Sequence, residues 1–128
     1  MADTTVFVVS DDFAIRDSLS ELIASAGLRA ETFPSLELWL EAAPLKPRGC
    51  LVLDARDWDV TDLERPANLT TNFTRLPVLL LVDRGSVPMA VRALKEGVAD
   101  ILEQPRRDED LLERIEMAVA GQDANANT

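Results

Sequence analysis

The chain has 128 residues, 47% of them hydrophobic, a single cysteine and a formal net charge of −10. It is long and apolar enough to bury one domain's core without disulfide or metal staples, so an intrinsically disordered chain and a disulfide scaffold are both excluded. The acidic balance argues against nucleic acid as a direct partner, because such binding needs cations to replace phosphate counterions, and no apolar run reaches the roughly 20 residues of a membrane helix.

Met1 to Thr4 lacks the basic start of a secretory leader, and Val6 to Val9 is too short for a leader's apolar core. With Cys50 inside the apolar run Cys50-Leu51-Val52-Leu53, a buried inert thiol and a reducing cytoplasm are expected. Thr5 to Val9 is β-branched and almost uninterrupted, which predicts a strand buried on both faces. From Phe13 the spacing changes: Ile15, Leu19, Leu22, Ile23 and Ala26 recur near 3.6 residues, a helix that Gly27 closes. Leu28 to Phe33 is a more polar strand suited to an edge. Ser35 caps a short helix carrying Leu36, Leu38, Trp39 and Leu40, with Trp39 and Phe33 read as core.

Pro44, Pro47 and Gly49 mark a loop, and the third strand ends on Asp54. A weak helix is expected near Asp62 to Thr71, with Pro66 tolerable only in a first turn. Pro77 to Val82 is the most apolar strand and is placed at the sheet centre. Ser86 caps the next helix, with Val87, Ala90, Val91 and Leu94 as its inner face and Gly97 at its end. Val98 to Glu103 is a fifth strand. Asp108 opens a last helix that turns Leu111, Leu112, Ile115, Ala118 and Val119 inward. Residues 1–120 form the domain, and the aperiodic stretch 121–128 is a polar tail or linker.

Five strands alternating with five helices imply an α/β domain: a parallel sheet with helices on both faces, right-handed crossovers and the strand order 2-1-3-4-5. Ligands of such sheets bind beyond the carboxyl ends of the strands. The loops there carry Ser10-Asp11-Asp12, Asp54 with Arg56, Asp83-Arg84, and Gln104-Pro105. Acids gathered at such a point suit Mg²⁺, which takes one or two carboxylates plus waters. A carboxylate beside that ion can attack a phosphoryl group. Asp11 and Asp12 also fit the plainer roles of helix cap and first-turn acid.

The ordered motifs Val-Phe-Val-Val-x-Asp-Asp, Leu-Val-Leu-Asp and Val-Pro-Met-Ala-Val-x-Ala-Leu-Lys-x-Gly-x-x-Asp-x-x-x-x-Pro resemble the receiver domain of FixJ/NarL-type response regulators of two-component signalling, from about Thr5 to Val119. The resemblance implies a flavodoxin-like (CheY-like) three-layer sandwich that is no enzyme. It implies a sensor histidine kinase or other signalling protein as partner, and a face of fourth helix, fifth strand and fifth helix that dimerises. It makes Asp54 the phosphoacceptor. Asp11, Asp54 and the backbone carbonyl of Arg56 become the Mg²⁺ ligands, with Asp12 as an alternative, and the Gln104-Pro105 bond is cis. The dimer face falls on Val87, Val91, Arg92, Lys95, Ile101, Arg106, Arg107 and Arg114.

The chain lacks the family's functional group at four positions. Ser10 replaces one metal-binding acid, Val82 the strand-4 hydroxyl, Ile101 the strand-5 aromatic, and Gln104 the phosphoryl-binding lysine. Asp83 stands where a small residue leaves room for the phosphodonor, and Trp58 stands over the site in place of a proline. A charge-assisted hydrogen bond contributes about 1.5–3 kcal/mol against about 0.5–1.5 for a neutral one. The substitutions therefore predict weak Mg²⁺ binding and poor phosphorylation, with Arg56 or Arg84 as a surrogate cation for the acid cluster. The expected function is an atypical receiver acting through protein contacts. The alternative is an ordinary phospho-accepting receiver that controls a C-terminal DNA-binding domain in a longer protein. A small phosphatase or nucleotide-binding enzyme is disfavoured: Asp54-Ala55-Arg56 lacks the second acid of an aspartate phosphatase, and the chain has no Gly-rich phosphate loop and no histidine.

Overall fold

The computed structural model describes residues 4–42, 48–56, 58, 76–104 and 106–126, with the side chains of 122–126 left aside. Five strands, β1 (Thr5–Val9), β2 (Arg29–Phe33), β3 (Gly49–Asp54), β4 (Val78–Asp83) and β5 (Asp100–Gln104), form one sheet in the order β2-β1-β3-β4-β5. All four pairings are parallel. Among the described residues the helices are α1 (Phe13–Ser25), α2 (Leu36–Ala42), α3 (Val87–Lys95) and α4 (Asp108–Ala126). The helix expected near Asp62 to Thr71 and Pro105 with its cis bond lie outside the described residues.

Alternation along the inner strands builds two cores. Phe7, Leu51, Leu53 and Leu80 face α2 and α3 with Trp39, Met89 and Ala93. Val6, Val8, Val52 and Leu79 face α1 and α4 with Leu19, Ile23, Leu111 and Ile115. Phe33 packs at the margin of the first core, and the Trp39 and Phe7 rings meet in a T-shaped arrangement at 5.7 Å between centroids. β2 is an edge strand, as its polarity requires; β4 lies inside the sheet between β3 and β5, one strand from the centre. Cys50 is fully buried, which pushes its thiol pKa up to about 12.

Three local expectations are corrected. The inner face of α3 is Met89 and Ala93, while Val87, Val91 and Leu94 are 62%, 48% and 55% exposed. This short helix carries two apolar stripes; the small Ala93 lets its own stripe approach the sheet, and unbranched Met89 fills the remaining gap. Ser86 stands at the N-cap of α3 but makes no side-chain capping bond. Pro88, one residue into the helix, removes one of the two amides a cap can serve. Helix α4 runs through Gly121 to Ala126, past the point where the apolar period fades.

The α1 cap is well made: Asp12 Oδ1 accepts from the amides of Ala14 at 2.9 Å and Ile15 at 3.4 Å. Asp12→Ala is therefore expected to destabilise the domain by about 1 kcal/mol, read as a lower urea midpoint at unchanged slope.

Candidate functional site

Because every strand is parallel, all carboxyl ends lie at one end of the sheet. The register Val9↔Leu53 brings Ser10, the residue after β1, beside Asp54, the last residue of β3. Two bonds carry the ladders past the strand ends and fix this geometry: Ser10 N to Phe33 O at 3.1 Å and Ala55 N to Leu81 O at 2.8 Å. Arg16 Nη1 reaches back from α1 to the Ser10 carbonyl at 2.7 Å and holds the turn after β1.

The Asp54 carboxylate is 6% exposed and fully engaged. Arg56 grips it with a fork, Nε to Oδ1 at 2.7 Å and Nη2 to Oδ2 at 2.9 Å, and the Arg56 amide adds a longer bond of 3.4 Å to Oδ1. The Ser10 hydroxyl, itself 2% exposed, donates to Oδ2 at 2.8 Å and accepts from the Asp12 amide at 3.1 Å. Burial alone raises the Asp54 pKa. The hydrogen bonds from Arg56 and Ser10 and the guanidinium charge outweigh it and hold the carboxyl below its usual range.

The other sequence-derived positions separate. Asp11 is exposed, and Asp12 is occupied as the α1 cap, with Arg56 Nη2 4.0 Å from its Oδ2. Arg84 is exposed in the turn after β4; among the described residues it makes no ion pair with Asp54, and Arg56 is the cation that reaches it. Val82 is buried at 1% and Ile101 is partly buried against the α2–α3 core. Asp83 is exposed at the end of β4, opposite Gln104 in the β4–β5 register. Trp58 is half-buried against the same core.

Gln104 and Arg106 follow one another at the end of β5, and the sequence does not foretell their state. Gln104 Nε2 and Arg106 Nε are buried and have no hydrogen-bond partner among the described residues. The Arg106 side chain is only 15% exposed, although its position suggested the outer dimer face. Burial lowers its pKa, and the nearby Arg56 charge lowers it further against an opposing effect of Asp108. Arg56 follows β3 and Arg106 follows β5, so both lie past the carboxyl ends of strands. Nothing in the linear pattern separates Arg106 from Arg107, which is 75% exposed.

With Arg56 on Asp54, this donor set leaves Asp11 as the one uncommitted carboxylate of the predicted ligands, a poor site for Mg²⁺. Hard divalent cations need free carboxylate oxygens. Here both Asp54 oxygens are taken by Arg56 and Ser10, and Asp12 serves the helix. Among the described residues no three His, Cys, Asp or Glu side chains come together as a metal group.

A family model, the response regulator receiver domain, matches residues 6–116. The chain belongs to this family. Transcriptional regulatory protein TdiR of Thauera aromatica is 38% identical over 117 residues, which is 91% of this receiver and 52% of TdiR. Transcriptional regulatory protein FixJ of Bradyrhizobium diazoefficiens is 36% identical over 114 residues, 89% of this receiver and 56% of FixJ. The crystal structure of FixJ-N matches with a TM-score of 0.81 at 35% identity, over 94% of this receiver and 96% of that chain. The receiver thus spans about half the length of the curated relatives it matches. Its family is one of signalling domains in two-component systems, and among the described residues no helix is long and apolar enough to cross a membrane.

Proposed function

We propose that this receiver signals without efficient phosphorylation of Asp54, through protein contacts on the face formed by α3, β5 and α4. The observation that carries this reading is the carboxylate itself, forked by Arg56 and capped by Ser10. An attacking carboxylate needs a free oxygen and a metal beside it. Releasing Asp54 means breaking two charge-assisted bonds, and Val82 and Gln104 supply neither the hydroxyl nor the charge that would stabilise the product.

Val82 and Ile101 also lack the groups by which phosphate would be felt at the far face. A ligand shifts a conformational equilibrium only through differential contacts with its states. The outward stripe of Val87, Val91 and Leu94 supplies the apolar part of a contact surface. Arg92, bonded to Glu96 at 2.8 Å, Lys95, Arg107 and the Arg114–Asp100 pair supply mixed charge around it. Such a surface suits a second copy or a related signalling protein, a histidine kinase among them. Sedimentation with and without beryllofluoride plus Mg²⁺, at low and high salt, tests this. The association state is expected to respond to salt and not to the phosphate mimic; a dimer formed only with beryllofluoride sinks the reading.

TdiR and FixJ are transcriptional regulatory proteins about twice the matched length, which supports a second reading at the level of a whole protein. In that reading the receiver governs a DNA-binding output domain joined after α4, with the cytoplasm as its compartment.

A further inference from the structure

The loop that leads from β4 into α3 turns on a glycine. Gly85 has φ 84°, a left-handed conformation that costs glycine little and leaves its peptide free to turn. Helix α3 begins two residues later without a cap of its own: Ser86 makes no side-chain capping bond, and the first turn holds no acid. The junction is held from the neighbouring strand instead. Glu103 pairs with Val82 in the β4–β5 register, beside the point where the chain leaves β4. Its Oε2 accepts from the Gly85 amide at 3.0 Å and is the one acceptor of that amide among the described residues. The carboxylate also places a negative charge near the start of α3, where the helix dipole favours it. Alternation along β5 puts Ile101 and Glu103 on the α2–α3 side of the sheet and Asp100 and Leu102 on the other. Asp100 pairs there with Arg114 of α4. The outer strand thus ties down an element on each face of the sheet with a carboxylate.

We propose that Glu103 is a latch: by holding the Gly85 amide it fixes the start of α3 and keeps the stripe of Val87, Val91 and Leu94 in one orientation on the sheet. The first core anchor of α3 is Met89, four residues past the glycine, and Val87 before it is 62% exposed. Up to Met89 the Glu103 bond decides the path of the chain. Without it the glycine can turn, and the outward stripe samples a second orientation. The inference rests on the proposed reading of α3, β5 and α4 as the contact face. It names the side chain that governs the shape of that face, and that side chain acts without phosphate.

Amide hydrogen exchange and methyl relaxation dispersion on the whole chain test it. In Glu103→Ala the Gly85 amide is expected to exchange about tenfold faster, the loss of one charge-assisted bond at an exposed site. The Val87 and Val91 methyls are expected to show microsecond-to-millisecond exchange that is absent from the unaltered chain. Glu103→Gln keeps a neutral acceptor and should fall between the two. Glu21→Ala removes the same charge from the exposed side of α1 and should leave Gly85 and α3 unchanged. If Glu103→Ala fails to fold, the unaltered chain gives the answer, because its Gly85 amide must exchange about tenfold more slowly than in an unstructured chain. Gly85 exchange that Glu103→Ala leaves unchanged, or α3 methyls that stay quiet once Gly85 is released, overturns the proposal. Failure of the contact-face reading shows differently, as a beryllofluoride-dependent dimer of the unaltered chain in sedimentation.

Discussion

Arg56→Met is expected to lower the stability of the domain by about 2–3 kcal/mol at neutral pH. Removing one partner of a fully buried pair costs about 3–5 kcal/mol. Arg56 is 31% exposed while Asp54 is 6% exposed, so water compensates the stranded carboxylate in part. The loss should depend on pH in a defined direction. Asp54 has a folded-state pKa below its ordinary 3.8, so its contribution is complete above that value and is lost as pH falls through the lowered one. In Arg56→Met burial acts against only the Ser10 hydroxyl and the long bond from the backbone amide of residue 56, the Asp54 pKa rises, and the penalty fades on acidification. The two stability curves should therefore lie furthest apart near neutrality and converge below 3.8. Adding Asp54→Asn to Arg56→Met should recover most of the loss, which a double-mutant cycle in urea measures directly.

Combining Ser10→Asp, Val82→Thr and Gln104→Lys is expected to raise the rate and yield of Asp54 phosphorylation by acetyl phosphate on the order of 100-fold. The lysine charge contributes about 1.5–3 kcal/mol toward the phosphoryl group and the threonine hydroxyl about 0.5–1.5. Each 1.4 kcal/mol is about tenfold. Ser10→Asp acts twice: it returns a metal-binding carboxylate and removes the hydroxyl that holds Asp54 Oδ2 at 2.8 Å. Initial rates from intact mass, with Mg²⁺ present, check it. A triple variant as inert as the parent would mean that the Arg56 fork alone decides the outcome.

Most of the frame is readable from the chain because the inner strands are apolar on both faces and the helices are periodic. Thr5 to Val9 and Gly49 to Leu53 fold as buried strands, and Leu19, Ile23, Leu111 and Ile115 are core, because no other residues in those segments could fill it. The α3 face is not readable, since Val87, Val91 and Leu94 keep helical spacing as well as Met89 and Ala93 do, and only contact with the sheet selects between them. The gathering of residues at the strand ends follows from parallel topology, which is why Ser10 and Asp54 meet. The roles within that gathering do not follow. Ser10 looks like a lost carboxylate and is a hydrogen-bond donor to Asp54. Arg16, which no motif singles out, anchors the Ser10 carbonyl. Arg106 looks like an outer-face cation and its side chain is mostly buried. In the two arginine cases a long side chain decides the outcome by the direction it takes, and direction is absent from a linear pattern.

The central claim is that Asp54 is a locked carboxylate. Incubating the unaltered chain with acetyl phosphate or phosphoramidate and Mg²⁺, then measuring intact mass and mapping Asp54, tests it most directly. The account predicts a chain that remains essentially unmodified. Stoichiometric, long-lived phosphorylation of Asp54 would contradict it.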